Sequence, residues 1–127
     1  MSRIRSKNTL LEKEVFSFLR RRHVYFQKHY GKVPGKPDVA LPSRKRAVFI
    51  DGDFWHGWRF SKQKGRLPTS YWIAKIEANI RRDRKNNAAL HRLGWDVLRI
   101  WEHELKLKKS NQKTFNKILV FLQKDNE

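Results

Sequence analysis

Asp38 follows Pro37 and opens the apolar run Val39-Ala40-Leu41. A second apolar run, Ala47-Val48-Phe49-Ile50, leads into Asp51 and Asp53, with His56 three residues further on. An acid at the start of one strand and acids at the end of its neighbour can meet at one sheet edge. Asp51 and Asp53, at i and i+2, share a face if the strand continues, and the Ile50 backbone carbonyl lies beside them. Oxygen donors of this kind suit Mg²⁺, which takes one or two carboxylates and keeps waters for a phosphate. A histidine beside such a site can accept a proton from water or give one to a leaving group, because its pKa lies near neutrality.

Two more acids belong to this set. Ile73, Ile76 and Ile80 mark an apolar helical stripe, and a further step of three reaches Asp83 on the same inward face. A buried carboxylate needs a partner. Either Asp83 orients His56, as carboxylates orient imidazoles in catalytic sites, or it pairs with Arg81, Arg82 or Arg84 beside it. Glu12 stands three residues after Thr9, which is a capping-box pattern at a helix start. It serves the site only if the fold brings that helix to Asp38.

Phe54, Trp55, Trp58, Tyr71 and Trp72 surround a basic loop that carries Arg59, Lys62, Lys64 and Arg66. Interleaved aromatic and cationic side chains can stack on bases and neutralise phosphates, and aromatic wedges can open a base step. The same aromatics can instead form a local hydrophobic cluster. The wider charge balance favours a polyanion: 30 Lys and Arg stand against 12 Asp and Glu in 127 residues, a formal net charge of +18. That excess predicts salt-dependent binding to nucleic acid.

These residues need a scaffold. Leu11, Val15, Phe18 and Leu19 predict a helix over 10–22, preceded by a basic N-terminal arm over 1–9 that includes Arg5 and Lys7. A short strand is expected within 23–29. Strands over 38–41 and 46–51 flank Pro42-Ser43-Arg44-Lys45 as a hairpin. Residues 52–69 read as a loop. A long helix runs from Ser70 to about Leu93 and stops at Gly94, a strand covers 95–101, and Phe115, Ile118, Leu119 and Leu122 mark a last helix over 112–123. The order αβββαβα predicts an α/β (α+β) domain over 10–127, with a small mixed sheet flanked by helices on both faces.

There is no cysteine, which excludes disulfides and thiolate metal sites, and the five histidines show no zinc-ligand spacing. No apolar run approaches the roughly 20 residues of a membrane span. The first residues lack a hydrophobic signal region, so a cytoplasmic protein is expected.

Taken together, several stretches resemble the very short patch repair endonucleases, which share a fold with the PD-(D/E)xK nucleases of the restriction-endonuclease type. The likeness covers about residues 2–104 and rests on Arg5-Ser6-Lys7-Asn8, Pro34-Gly35-Lys36-Pro37-Asp38, Val48 through Gly57, Tyr71 through Ile76, Asn79 through Arg84 and Leu93 through Glu102, in that order. The resemblance implies a Mg²⁺-dependent enzyme, with one or two ions, that nicks one strand of double-stranded DNA beside a T:G mismatch. It implies Asp38 as the principal metal ligand with the Ile50 carbonyl as a second, His56 as general base with Asp83 as its partner, and Glu12 in support. It also implies Phe54, Trp55 and Trp72 as wedges into DNA. An enzyme of this kind is expected to act as a monomer on DNA, near the nucleoid, alongside mismatch-repair partner proteins.

The chain departs from the family at three points. Asp53 stands at a cysteine position, so no structural zinc is expected. Asp51 stands where some members have histidine and adds a possible direct metal ligand. Gly52 lies where the PD-(D/E)xK lysine would fall, which leaves the base role to His56. Two other readings remain open on the residues: a site-specific endonuclease of a homing, restriction or mobile element acting on matched DNA, and a non-catalytic nucleic-acid-binding module.

Overall fold

The computed structural model describes residues 3–52 and 70–124. Helix α1 spans Arg3–Arg21. Strands β1 (Gln27–Lys28), β2 (Val39–Leu41) and β3 (Arg46–Asp51) follow, then helix α2 (Ser70–Arg92), strand β4 (Asp96–Trp101) and helices α3 (Glu102–Lys106) and α4 (Lys108–Gln123). Among the described residues, no helix is long and apolar enough to cross a membrane.

The four strands form one sheet in the order β1-β2-β3-β4. The β2–β3 pair is the expected antiparallel hairpin, with Val39 opposite Val48. The β3–β4 pair is parallel, with Val48 beside Leu98 and Ile50 beside Ile100. A parallel pair needs a crossover element, and α2 lies between these strands in the chain. Every residue of β3 is buried, because helices cover both faces of the strand. A strand covered on both sides reads as an unbroken apolar run rather than an alternating one.

Alternation along β3 sorts the two cores. Val48 and Ile50 join Val15, Leu19, Ile118 and Leu122, so α1 and α4 cover that face. Ala47 and Phe49 join Leu90 and Trp95, so the end of α2 covers the other. Fully burying a side chain of this kind contributes about 1.5–3 kcal/mol.

Both long helices end in the same way. Gly94, at φ 85°, lets the Trp95 N–H reach the Leu90 carbonyl at 2.9 Å. This Schellman turn is the termination that Gly94 predicts. At the end of α1, His23 takes that place at φ 60°, and the Val24 N–H reaches the Leu19 carbonyl at 3.0 Å.

The boundaries differ from the sequence expectation in three places. α1 begins at Arg3 rather than near residue 10, so most of the expected basic arm is helical and Thr9 lies inside the helix. Arg5 and Lys7 are therefore helix positions. The last helix begins at Lys108, and the short helix α3 precedes it. α3 is anchored by Leu105 and by the Glu104 carboxylate, which accepts the Trp101 N–H at 2.9 Å. A single helical turn leaves too little periodicity to be legible beforehand.

Candidate active site

Asp38 reaches its position through a tight turn. Gly35 and Lys36 both adopt left-handed backbone, at φ 83° and 52°. A Cβ on Gly35 would stand 3.0 Å from the Phe49 ring, so both its φ and its closeness to the sheet call for glycine. Beyond the end of the β2–β3 ladder, the Asp38 side chain takes up the pairing: its Oδ2 accepts the Ile50 N–H at 2.7 Å.

Two further elements converge on this carboxylate. Glu12 comes from the middle of α1. The expected capping-box role does not form there, because the helix starts about two and a half turns earlier. Its Oε1 instead lies 2.8 Å from His29 Nε2. His29 follows β1, whose pairing of Lys28 with Val39 brings the next residue level with Asp38. The His29 N–H donates to the Asp38 carbonyl at 3.1 Å, and its Nε2 stands 3.8 Å from Asp38 Oδ1. One ligand atom from each of Glu12, His29 and Asp38 lies within 4.8 Å of the other two.

This crowding sets the electrostatics. Burial pushes the Asp38 carboxyl up to about 8. The Ile50 N–H opposes that rise by favouring the charged form, while the charge of Glu12, a hydrogen bond with it and the charge of Asp51 add to it. A divalent ion at this point would relieve both the burial of charge and the repulsion between the acids. Two carboxylates and an imidazole are donors that suit a divalent metal.

Asp51 lies outside that trio. Its carboxylate accepts from Arg99 Nη1 at 2.9 and 3.1 Å, and it is buried. Asp83 meets the same guanidinium: Arg99 Nη1 is 3.8 Å from Asp83 Oδ1. Arg99 Nε also donates to Asn87 Oδ1 at 2.9 Å, and the guanidinium lies 4.1 Å from the Phe49 ring centre. Arg99 therefore ties β3, β4 and α2 together. Of the cationic neighbours expected for Asp83, none was this one, because Arg99 comes from a strand that is distant in sequence.

Trp72 is a position of α2. His56, Asp53, Phe54, Trp55, Arg59, Lys62, Lys64 and Arg66 lie outside the described residues.

Sequence reasoning missed two residues. His29 escaped because no spacing along the chain links it to Asp38; only the β1–β2 pairing does. Arg99 sits in the middle of the strand Asp96–Trp101, where an interior cation inside an apolar run was a signal that it has an acidic partner.

Comparisons with known proteins bear on the same region. The family model for the DNA mismatch endonuclease Vsr matches residues 1–62. A type II nicking enzyme of Xanthomonas oryzae pv. oryzae is 44% identical over 108 residues, which cover 83% of this chain and 78% of the relative. A type II nicking enzyme of Neisseria meningitidis serogroup A is 38% identical over 122 residues, covering 94% and 86% respectively. The DNA mismatch endonuclease Vsr of Escherichia coli is 33% identical over 109 residues, covering 84% of this chain and 69% of its own length.

Proposed function

The chain belongs to the family of the DNA mismatch endonuclease Vsr and is a DNA endonuclease; on that premise we propose that it nicks one strand of duplex DNA beside a T:G mismatch, using a divalent cation of the Mg²⁺ class. The observation that carries this reading is the convergence of Glu12 on an Asp38 carboxyl that burial and its neighbours hold up to about 8 and that the Ile50 N–H clamps from β3.

Asp38 and Glu12 would hold the ion. In an antiparallel pair a residue exchanges both backbone groups with its partner strand, so the Ile50 carbonyl lies on the same edge as the N–H that grips Asp38 and is a further donor. When bound, the ion supplies positive charge against a phosphate oxygen and makes water more acidic. His56 takes the proton of the attacking water. The water oxygen bonds to phosphorus, the bond to the 3′ oxygen breaks, and that oxygen leaves with a proton from solvent. The products are a 3′-hydroxyl and a 5′-phosphate. Asp83 positions His56, with Arg99 holding Asp83 against β4. Asp51, paired with Arg99, adds its charge to the field at Asp38.

Phe54, Trp55 and Trp72 wedge into the base step, which is cheaper to open at a mismatch than at a matched pair. Arg5, Lys7, Arg59, Lys62, Lys64 and Arg66 neutralise phosphates along the duplex. With no cysteine in the chain, this reading includes no thiolate-bound structural zinc. The enzyme acts on DNA as a monomer, with mismatch-repair proteins as its partners.

Relatives named as type II nicking enzymes favour a second reading, in which a matched site is the target. An end-labelled duplex with one T:G pair, its matched twin and an Asp38→Asn control separate the readings. A cation-dependent nick in the T strand of the mismatched duplex alone supports mismatch repair. Equal nicking of both duplexes supports matched-site cleavage. Cleavage by Asp38→Asn at the full rate removes Asp38 from the mechanism.

A further inference from the structure

We propose that the His29 imidazole binds directly to the cation held by Glu12 and Asp38, and that this nitrogen makes the site prefer Mn²⁺ to Mg²⁺. The inference rests on the endonuclease reading of this site and adds a third side-chain ligand and a metal preference to it.

The geometry comes first. An octahedral ion holds its ligands at about 2.1 Å, which places adjacent ligand atoms about 3 Å apart and opposite ones about 4 Å apart. His29 Nε2 stands 2.8 Å from Glu12 Oε1 and 3.8 Å from Asp38 Oδ1. The whole set fits within 4.8 Å. The 2.8 Å and 3.8 Å spacings lie near those of an adjacent and an opposite pair of such ligands.

The ring is also placed by more than this contact. The His29 backbone is left-handed, at φ 45°. Its N–H is tied to the Asp38 carbonyl, and its ring packs edge-on against Phe16 of α1 at 5.9 Å. β1, β2 and α1 thus aim the same nitrogen at the same two carboxylates. A simple ion pair between His29 and Glu12 would account for one of these contacts, not for the approach to Asp38.

The donor chemistry then sets the preference. Mg²⁺ favours oxygen donors and retains its water, whereas imidazole suits first-row transition ions, and Mn²⁺ accepts both imidazole and carboxylate. Two carboxylates with one imidazole therefore bind Mn²⁺ more tightly than Mg²⁺.

The test uses the full chain with Mn²⁺ alone and no DNA. Electron spin-echo spectroscopy of bound Mn²⁺ reads directly attached imidazole nitrogen. The expected result is a nitrogen modulation in the native protein that changes when histidine is isotope-labelled, survives His56→Ala and disappears in His29→Gln. Calorimetry should show the Mn²⁺ Kd rising by at least the roughly 10–100-fold typical of losing even a supporting metal-site contact. The Mg²⁺ Kd should rise less. Bound Mn²⁺ with no nitrogen modulation in the native protein overturns the inference, and no variant is needed for that result. Modulation that persists in His29→Gln, or is lost in His56→Ala, overturns it as well. In each of these cases, loss of Mn²⁺ binding in Asp38→Asn leaves the endonuclease reading of the site standing. Failure of the native protein to bind either ion overturns both.

Discussion

At Asp38 two requirements oppose each other. On the proposed reading the site needs a charged carboxylate to hold a cation, yet burial and the neighbouring acids favour its protonated form. The opposition has a measurable consequence. Asp38 binds its proton more tightly folded than unfolded, so the metal-free protein has this contribution in full below about pH 4. The contribution is lost as pH rises through about 8. With a chelator present, Tm should therefore fall between these limits, less so in Asp38→Asn, and a divalent cation should restore it at the upper end. A Tm profile identical in native protein and Asp38→Asn would contradict this. A second prediction concerns His56, the proposed proton acceptor. His56→Ala should lower kcat by roughly 10²–10⁴-fold, the usual size of a general-base contribution, while duplex affinity at low salt stays nearly constant. Single-turnover cleavage alongside equilibrium binding separates the two effects.

Among the elements, β3 has the most work to do. Its two ends carry different cargo: Arg46 at the start binds Asp96 and donates to the Lys124 carbonyl at 3.0 Å, closing α4 onto the sheet. Ile50 and Asp51 at the other end hold Asp38 and Arg99 respectively. The parallel pairing with β4 sets Asp51 level with Trp101 and places Arg99 within reach of both β3 and α2. Removing that guanidinium leaves Asp51 and Asp83 with much less compensation at partly buried positions. Arg99→Ala should therefore destabilise the fold by about 3–5 kcal/mol, the range for breaking a buried ion pair from one side. Urea denaturation measures this directly. A loss below about 1 kcal/mol would mean that Arg99 behaves as a surface ion pair. The expected helix and strand types were legible because long, strongly periodic segments carry their own signal: Leu11, Val15, Phe18 and Leu19 line α1, and Gly94 ends α2. The early start of α1 was not, because residues 3–9 lack an apolar stripe.

Over the whole molecule, a formal net charge of +18 dominates behaviour towards nucleic acid. If about 6–10 phosphates are neutralised, duplex affinity should fall by about 10³–10⁵-fold between about 50 and 200 mM salt. Filter binding across that range tests this, and a nearly flat profile would mean that base contacts rather than phosphates hold the complex. The sequence by itself determined the charge, the absence of thiolate chemistry and the strand and helix types, since these depend on residue identity and local period alone. It also pointed to Asp38 as a candidate site residue and, through the ordered stretches around it, to the family. The tertiary structure alone decided the company that Asp38 keeps. Glu12 left its expected capping position and His29 joined it, because strand pairing and helix packing bring together residues with no fixed spacing along the chain. Asp51 turned to Arg99 instead of joining the trio, because the parallel β3–β4 pairing sets a cation beside it and that partner cannot be read from either strand alone.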